Sequence, residues 1–234
     1  PLSKAAASAQ MHSSKAAMFA AASAQAPTPP AAGAAPAKPG SPRRDLCEVP
    51  PPEAWVIADL GTAGIANVHS ASVSYKGGPV QLALRNVFCP FNPSSMDGGE
   101  HRQTLTLRLS KSWEVAIADM ERRVLERVAS DSLQILGREL TNEEVHEMYK
   151  SCTRKTAEYP MNLRVKVTKT GLLGTRYWDA NGNRLSAPDQ HMATWFNAML
   201  NIRALWCGAN AWGLVVDVTD LQEVSVDDDS KCPF

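Results

Sequence analysis

Motifs of catalysis are missing from this chain. None of HExxH, GxSxG, a P-loop or GxGxxG occurs in its 234 residues. His69, His101, His146 and His191 are scattered, and Cys152 follows His146 at a spacing that puts the two on different sides of a helix. The Gly77–Gly78 and Gly98–Gly99 pairs lack the lysine and following helix of a phosphate-binding loop. Asp59, Asp179, Asp217 and Asp220 are carboxylates without a metal-ligand spacing. The sequence therefore predicts no catalytic residue, no metal site and no cofactor. Cys47, Cys89, Cys152, Cys207 and Cys232 form no CxxC pair and are odd in number, which argues against a zinc site and against a disulfide-rich secreted scaffold. Scattered thiols fit a reducing compartment: a cell interior, a virion or an organelle matrix. No apolar run reaches the about 18–20 residues of a helical membrane span.

Acidic residues are absent from the first 44 positions, which are rich in Ala, Pro and Ser and hold five basic residues: Lys4, Lys15, Lys38, Arg43 and Arg44. The whole chain has 24 basic and 24 acidic residues. Without those five, 19 basic residues face 24 acidic ones, a net of −5, so any site for a polyanion must be local. Residues 150–184 are such a place: eight basic residues oppose Glu158 and Asp179, a net of +6. Asp227, Asp228 and Asp229 make the end acidic. These shifts divide the chain into an Ala/Pro-rich basic arm (1–46), extended or partly helical, a single folded domain (47–226) and a short acidic tail (227–234). The arm reads either as an assembly arm laid over a neighbouring subunit or as the remnant of a targeting sequence.

The body reads as β-rich α+β. AWVIADLG is a first strand or an extended anchor, and the runs on either side of Gly77–Gly78 predict a hairpin. QTLTLRLS alternates with Leu105, Leu107 and Leu109 on one side. A helix is expected from Ser112 to Leu136, ended by Gly137, then a shorter one opened by Thr141 with Glu144 as a capping box, giving a helical insertion over about 112–152. NLRVKVTK alternates again, with Leu163, Val165 and Val167 opposite Arg164 and Lys166. The segment at 191–207 suits a short approach followed by the strand LNIRALWC, and a long closing strand starts near Trp212. Trp206 and Trp212, flanking the turn between these strands, read as core residues, and Gly213 as a bulge or a close backbone contact.

Charge and aromatic rings coincide in the last third. Arg164 and Lys166 share a strand face, with Lys169 and Arg176 beyond them and Lys150, Arg154 and Lys155 before them. Tyr177 and Trp178 are adjacent, so in a strand they face opposite ways and one of the pair meets solvent. Cations next to rings suit a single-stranded nucleic acid: phosphates release counterions to the cations and bases stack on the aromatics. The competing structural use is a solvated sheet face and a ring packed under a loop. The strand LRVKV, the Tyr177-Trp178-Asp179 turn with Gly182, the strand ending at Trp206, and Trp212-Gly213 with Leu221–Val224 together resemble the single-stranded DNA-binding proteins of phages and large DNA viruses. The resemblance covers 155–226 and extends more thinly over 65–150; the Ala/Pro-rich arm and the shortness of the acidic tail depart from it. It implies an OB-like small barrel with helices inserted near the centre, and non-catalytic, sequence-tolerant coating of single-stranded DNA during replication. RNA stays open as a partner, because stacking and charge do not read the 2′-hydroxyl. The alternatives are a structural or assembly subunit, such as a viral coat or accessory protein whose arm wraps a neighbour in an oligomer, and an organellar accessory subunit.

Overall fold

The computed structural model describes residues 48–63, 67–95, 101–169, 171, 174–188 and 190–224. The arm at 1–46 and the tail at 227–234 lie outside the described residues. A 3₁₀ turn at Pro52–Ala54 leads into β1 (Trp55–Ile57), β2 (Gly61–Thr62), β3 (His69–Tyr75), β4 (Gly78–Cys89) and β5 (Arg102–Arg108). Three helices follow, α1 (Lys111–Ser130), α2 (Ser132–Leu136) and α3 (Asn142–Met148). The chain then returns to strands: β6 (Thr153–Arg154), β7 (Asn162–Thr168), β8 (Arg176–Trp178), β9 (Arg184–Leu185), β10 (Thr194–Cys207) and β11 (Trp212–Glu223). No described helix is long and apolar enough to cross a membrane.

β10 is occupied on both edges. Along one it runs antiparallel to β11 from Phe196↔Glu223 to Cys207↔Trp212. Along the other it pairs first with β4, from Thr194↔Cys89 to Ile202↔Val80, then with β3, from Ala204↔Ser72 to Cys207↔His69. β5 and β7 form a second antiparallel ladder, from Arg102↔Thr168 to Arg108↔Asn162. The two blocks meet through single registered pairs, Phe88↔Arg108 between β4 and β5 and the parallel pair Asp217↔Lys166 between β7 and β11. This corrects one expectation. The fold is β-rich α+β with helices among the strands, but the sheet does not close into the OB-like small barrel. A barrel needs a staggered ladder along every edge, and one pair at each junction does not supply it. The alternation in the sequence is the same for an open sheet and a closed one, so it carried no information on closure.

Strand period 2 fills the core. Val80, Leu82 and Leu84 of β4, Leu105 and Leu107 of β5, Leu163, Val165 and Val167 of β7, and Phe196, Leu200 and Ile202 of β10 all point inward and are buried. Each contributes about 1.5–3 kcal/mol by leaving water. β10 extends through the whole of Thr194–Cys207 rather than beginning at Leu200, so Phe196 turns in and Trp195 stays half-exposed.

The helices cover this core with a stripe at Trp113, Ile117, Met120, Val124 and Val128, spaced for one helix face. Val115 and Leu133, apolar residues of the same helical segment, are exposed. The single helix expected over 112–136 breaks at Asp131, and Gly137 ends the second piece in the left-handed conformation at φ 70°. The capping box forms: Thr141 Oγ1 accepts from the Glu144 N–H at 3.2 Å, and Glu144 Oε2 accepts from the Thr141 N–H at 2.8 Å. α1 also buries Glu121. Its carboxylate accepts from Tyr149 Oη (2.7 Å), Ser151 Oγ (2.7 Å) and Thr153 Oγ1 (2.9 Å), which fixes β6 against the helix. Burial, aided by the Glu121 charge, pushes the Tyr149 hydroxyl and the Cys152 thiol upward.

Trp212 is fully buried and donates from Nε1 to the Val145 carbonyl at 2.9 Å, whereas Trp206 is half-exposed. They are not cross-strand partners, because Trp206 stands opposite Gly213 and Trp212 opposite Cys207. Gly213 is required by close approach: a Cβ there would lie 2.7 Å from the Lys150 carbonyl oxygen and 2.9 Å from Trp206 Nε1. That carbonyl cannot retreat freely, since the Lys150 N–H donates to the Trp212 carbonyl at 2.8 Å. Gly213→Ala is expected to destabilise the protein by about 1–3 kcal/mol, read as a lower urea midpoint with an unchanged m-value.

Candidate nucleic-acid interface

The outward faces of β5 and β7 carry basic residues and threonines. Neither RQTLTLR nor NLRVKVT contains an acid. Their register sets Thr106 opposite Arg164 and Thr104 opposite Lys166, and Lys166 Nζ donates to Thr104 Oγ1 at 2.7 Å. Arg164 is exposed and donates to the Ser151 carbonyl at 3.2 Å. Lys169 is exposed just past the strand end.

A transverse row crosses five strands at the end of this face. Arg154 on β6 pairs with Asn162 on β7, Asn162 with Arg108 on β5, Arg108 with Phe88 on β4, and Phe88 with Trp195 on β10. Every member is exposed or half-buried, and neighbours sit one strand spacing apart, about 5 Å. The Arg108 guanidinium lies 5.4 Å from the Phe88 ring centroid, and the Phe88 and Trp195 rings are 5.1 Å apart at 50°. A row of cations thus passes into a pair of rings through a cation–π contact.

Two rungs along β10, a second row runs beside the first. Asn197 pairs with Gln222, Gln222 with Trp178, and Trp178 with Arg184 on β9. Asn86, at φ 50° in an irregular stretch of β4, donates its N–H to Asn197 Oδ1 at 3.2 Å, which turns Arg85 outward. Arg85, Trp178, Asn197 and Gln222 line an open groove of about 450 Å³. Trp178 is clamped: its Nε1–H donates to Asp220 Oδ1 at 2.9 Å, while Arg176 bonds Asp220 Oδ2 at 2.7 Å. Burial would raise the Asp220 carboxyl, but the bonds from Arg176, Trp178 and Thr219 outweigh it and hold it below the usual carboxylate range. Arg176–Asp220 is a half-exposed pair worth about 0–1 kcal/mol, so its role is to orient the indole rather than to stabilise the fold.

The sequence candidates separate on this map. Arg154 joins the first row, and Arg164 and Lys166 flank it on β7. Arg176 and Trp178 belong to the second row. Lys155 lies apart and pairs with Glu114 at 3.5 Å, and Lys150 is exposed before β6. Tyr177 turns inward as Trp178 turns outward. Its ring is buried, so it offers no face for stacking, and its hydroxyl lies 3.2 Å from His191 Nε2. Arg85, Phe88, Arg108, Asn197 and Gln222 were not singled out from the sequence. Alternation alone signals them as outward, since each is adjacent to inward residues, but the register that joins them is invisible in one chain. Among the described residues, no three His, Cys, Asp or Glu side chains are grouped to hold a metal, and Cys89, Cys152 and Cys207 are free, buried thiols.

His191 is buried against Tyr177 and Phe196, and Asn92 Oδ1 accepts its backbone N–H at 2.8 Å. Burial, helped by the Lys169 charge, lowers the His191 pKa, and burial also pushes the Tyr177 hydroxyl up to about 12. Below an unfolded value of about 6.5 the unfolded chain binds the His191 proton more readily than the folded one, so stability is lost as pH falls through the depressed folded value. Denaturation midpoints are expected to fall between about pH 7.5 and about pH 5.5 in the wild type, while His191→Gln removes that part of the slope.

No protein-family model matches the chain, and no curated protein matches it. Among solved structures it is similar to the single-stranded DNA-binding protein from bacteriophage Enc34 in complex with ssDNA, with TM-score 0.44 and 14% identity, over 74% of this chain and 97% of that one. The same phage protein without DNA gives TM-score 0.42 and 12% identity over 72% and 89%. Its C-terminal truncation gives TM-score 0.42 and 12% identity over 74% and 95%. The chain is thus similar, at low identity, to phage proteins of the kind that its C-terminal pattern resembles.

Proposed function

We propose that this protein binds single-stranded nucleic acid, DNA in the first instance, and does no chemistry on it. The observation that carries the reading is the row Arg154–Asn162–Arg108–Phe88–Trp195 beside a pair of strands without acids. A phosphate backbone crossing the strands meets Arg154, then Arg164 and Lys166 at the flank, and gains by releasing counterions. Unpaired bases meet Phe88 and Trp195, where stacking is open to any base. A duplex keeps its base faces stacked inside, so the rings favour a single strand. Lys169 and Lys150 extend the positive margin, and the chain would coat or protect exposed strands rather than read one sequence tightly.

Titration of a labelled oligodeoxynucleotide at several salt concentrations tests this. Binding should weaken with salt, and Arg154→Ala, Arg164→Ala and Lys166→Ala together should reduce the slope of log K against log salt by about 2. Trp195→Ala should cost about 1–3 kcal/mol of binding. A wild-type protein that binds no single strand even at low salt would sink the proposal.

A further inference from the structure

The second row has a chemistry that the first lacks. Phe88 and Trp195 present apolar rings, whereas Asn197 and Gln222 present amides, and they do so in the lining of an open groove. Asn197 Oδ1 accepts one bond, from Asn86, and keeps a second lone pair. The two amides touch at 3.5 Å through Asn197 Nδ2 and Gln222 Oε1, which leaves the Gln222 amide N–H groups without a hydrogen-bond partner among the described residues. One acceptor and one donor therefore stand side by side. Trp178 lines the same groove, its orientation set by Asp220, as does Met199, two residues beyond Asn197 on β10. Arg85 projects at the opposite rim, exposed, and makes no hydrogen bond or ion pair among the described residues.

We infer that this groove is a reading pocket for one unpaired nucleobase, which stacks on Trp178 and bonds Asn197 and Gln222 through its edge, with Arg85 on the adjoining phosphate. The inference rests on the single-strand reading and adds selectivity to it. Stacking on Phe88 and Trp195 accepts all bases alike, but a fixed donor–acceptor pair in a groove does not, because a base with the wrong edge leaves the amides unpaired. A ring held in place by its own indole N–H loses little freedom on binding, unlike a ring that must be ordered by the ligand. The pocket lies beside Trp195 on the same strand, so one single strand can occupy both rows with consecutive nucleotides.

The test compares homo-oligomers dA, dC and dT of equal length, bound to the full chain at one salt concentration. Wild type should prefer one of them by about tenfold. Asn197→Leu with Gln222→Leu should bring the three within about twofold of each other while far-UV circular dichroism stays unchanged. Arg85→Ala should weaken all three alike and keep the preference, which separates phosphate contact from base reading and does not disturb the core. Equal affinities in the wild type, or a preference that survives the double substitution, overturn the pocket and leave the single-strand reading standing. Failure of the wild type to bind any oligomer overturns both.

Discussion

The double pairing of β10 is the constraint on which the remainder hangs. A strand hydrogen-bonded along both edges cannot slip by one residue without exposing Phe196, Ala198, Leu200 and Ile202 and burying Trp195, Asn197 and Arg203. Its irregular steps at Phe196/Ala198, Met199/Leu200 and Ile202/Ala204 accompany a strand that serves β4 and then β3 along one edge while β11 holds the other. Because Trp195 and Asn197 are both supplied by β10, the same ladder that shuts the core also sets the spacing between the ring pair and the amide groove. Fold and candidate interface are two sides of one register.

Charge is arranged around this frame by pairing as much as by composition. Asp217 takes Arg102 at 2.5 Å and Arg203 at 2.7 Å, and Asp220 takes Arg176. Such exposed pairs add about 0–1 kcal/mol each, too little to explain the fold, but they neutralise Arg102, Arg176 and Arg203. Glu121 acts from beneath. By gathering the hydroxyls of Tyr149, Ser151 and Thr153 it holds β6 in place, and the next residue, Arg154, faces outward as a result. A body with a net negative charge can present a positive row in this way, because Coulomb attraction at short range depends on neighbours and not on the total.

Much of the local structure was legible. Leu105 and Leu107 alternate with threonines, and Leu163, Val165 and Val167 with Arg164 and Lys166, and each set faces as its alternation dictates. Thr141 with Glu144 marked a helix start, Gly137 a helix stop. Less was legible where two periods compete. The apolar run around Leu200 suited a late-starting strand, and only the long pairing with β4 shows why it begins at Thr194. The helix over 112–136 breaks at Asp131, where no glycine or proline warns of it. Of Tyr177 and Trp178, adjacency implied opposite faces; His191 and Asp220, distant in the chain, decided which ring went in.

The sequence by itself determined which residues could lie together on one face, since a period of two or of 3.6 is a local property of the backbone. It also determined where positive charge is dense and where catalytic motifs are missing. The tertiary structure alone decided which faces adjoin. The meeting of Arg108, Phe88 and Trp195, the clamp of Asp220 on Trp178, and the failure of the ladders to close into a barrel all depend on pairings between segments far apart in the chain. Such pairings are selected by how whole strands bury their inward sides at once, and no local pattern encodes that choice.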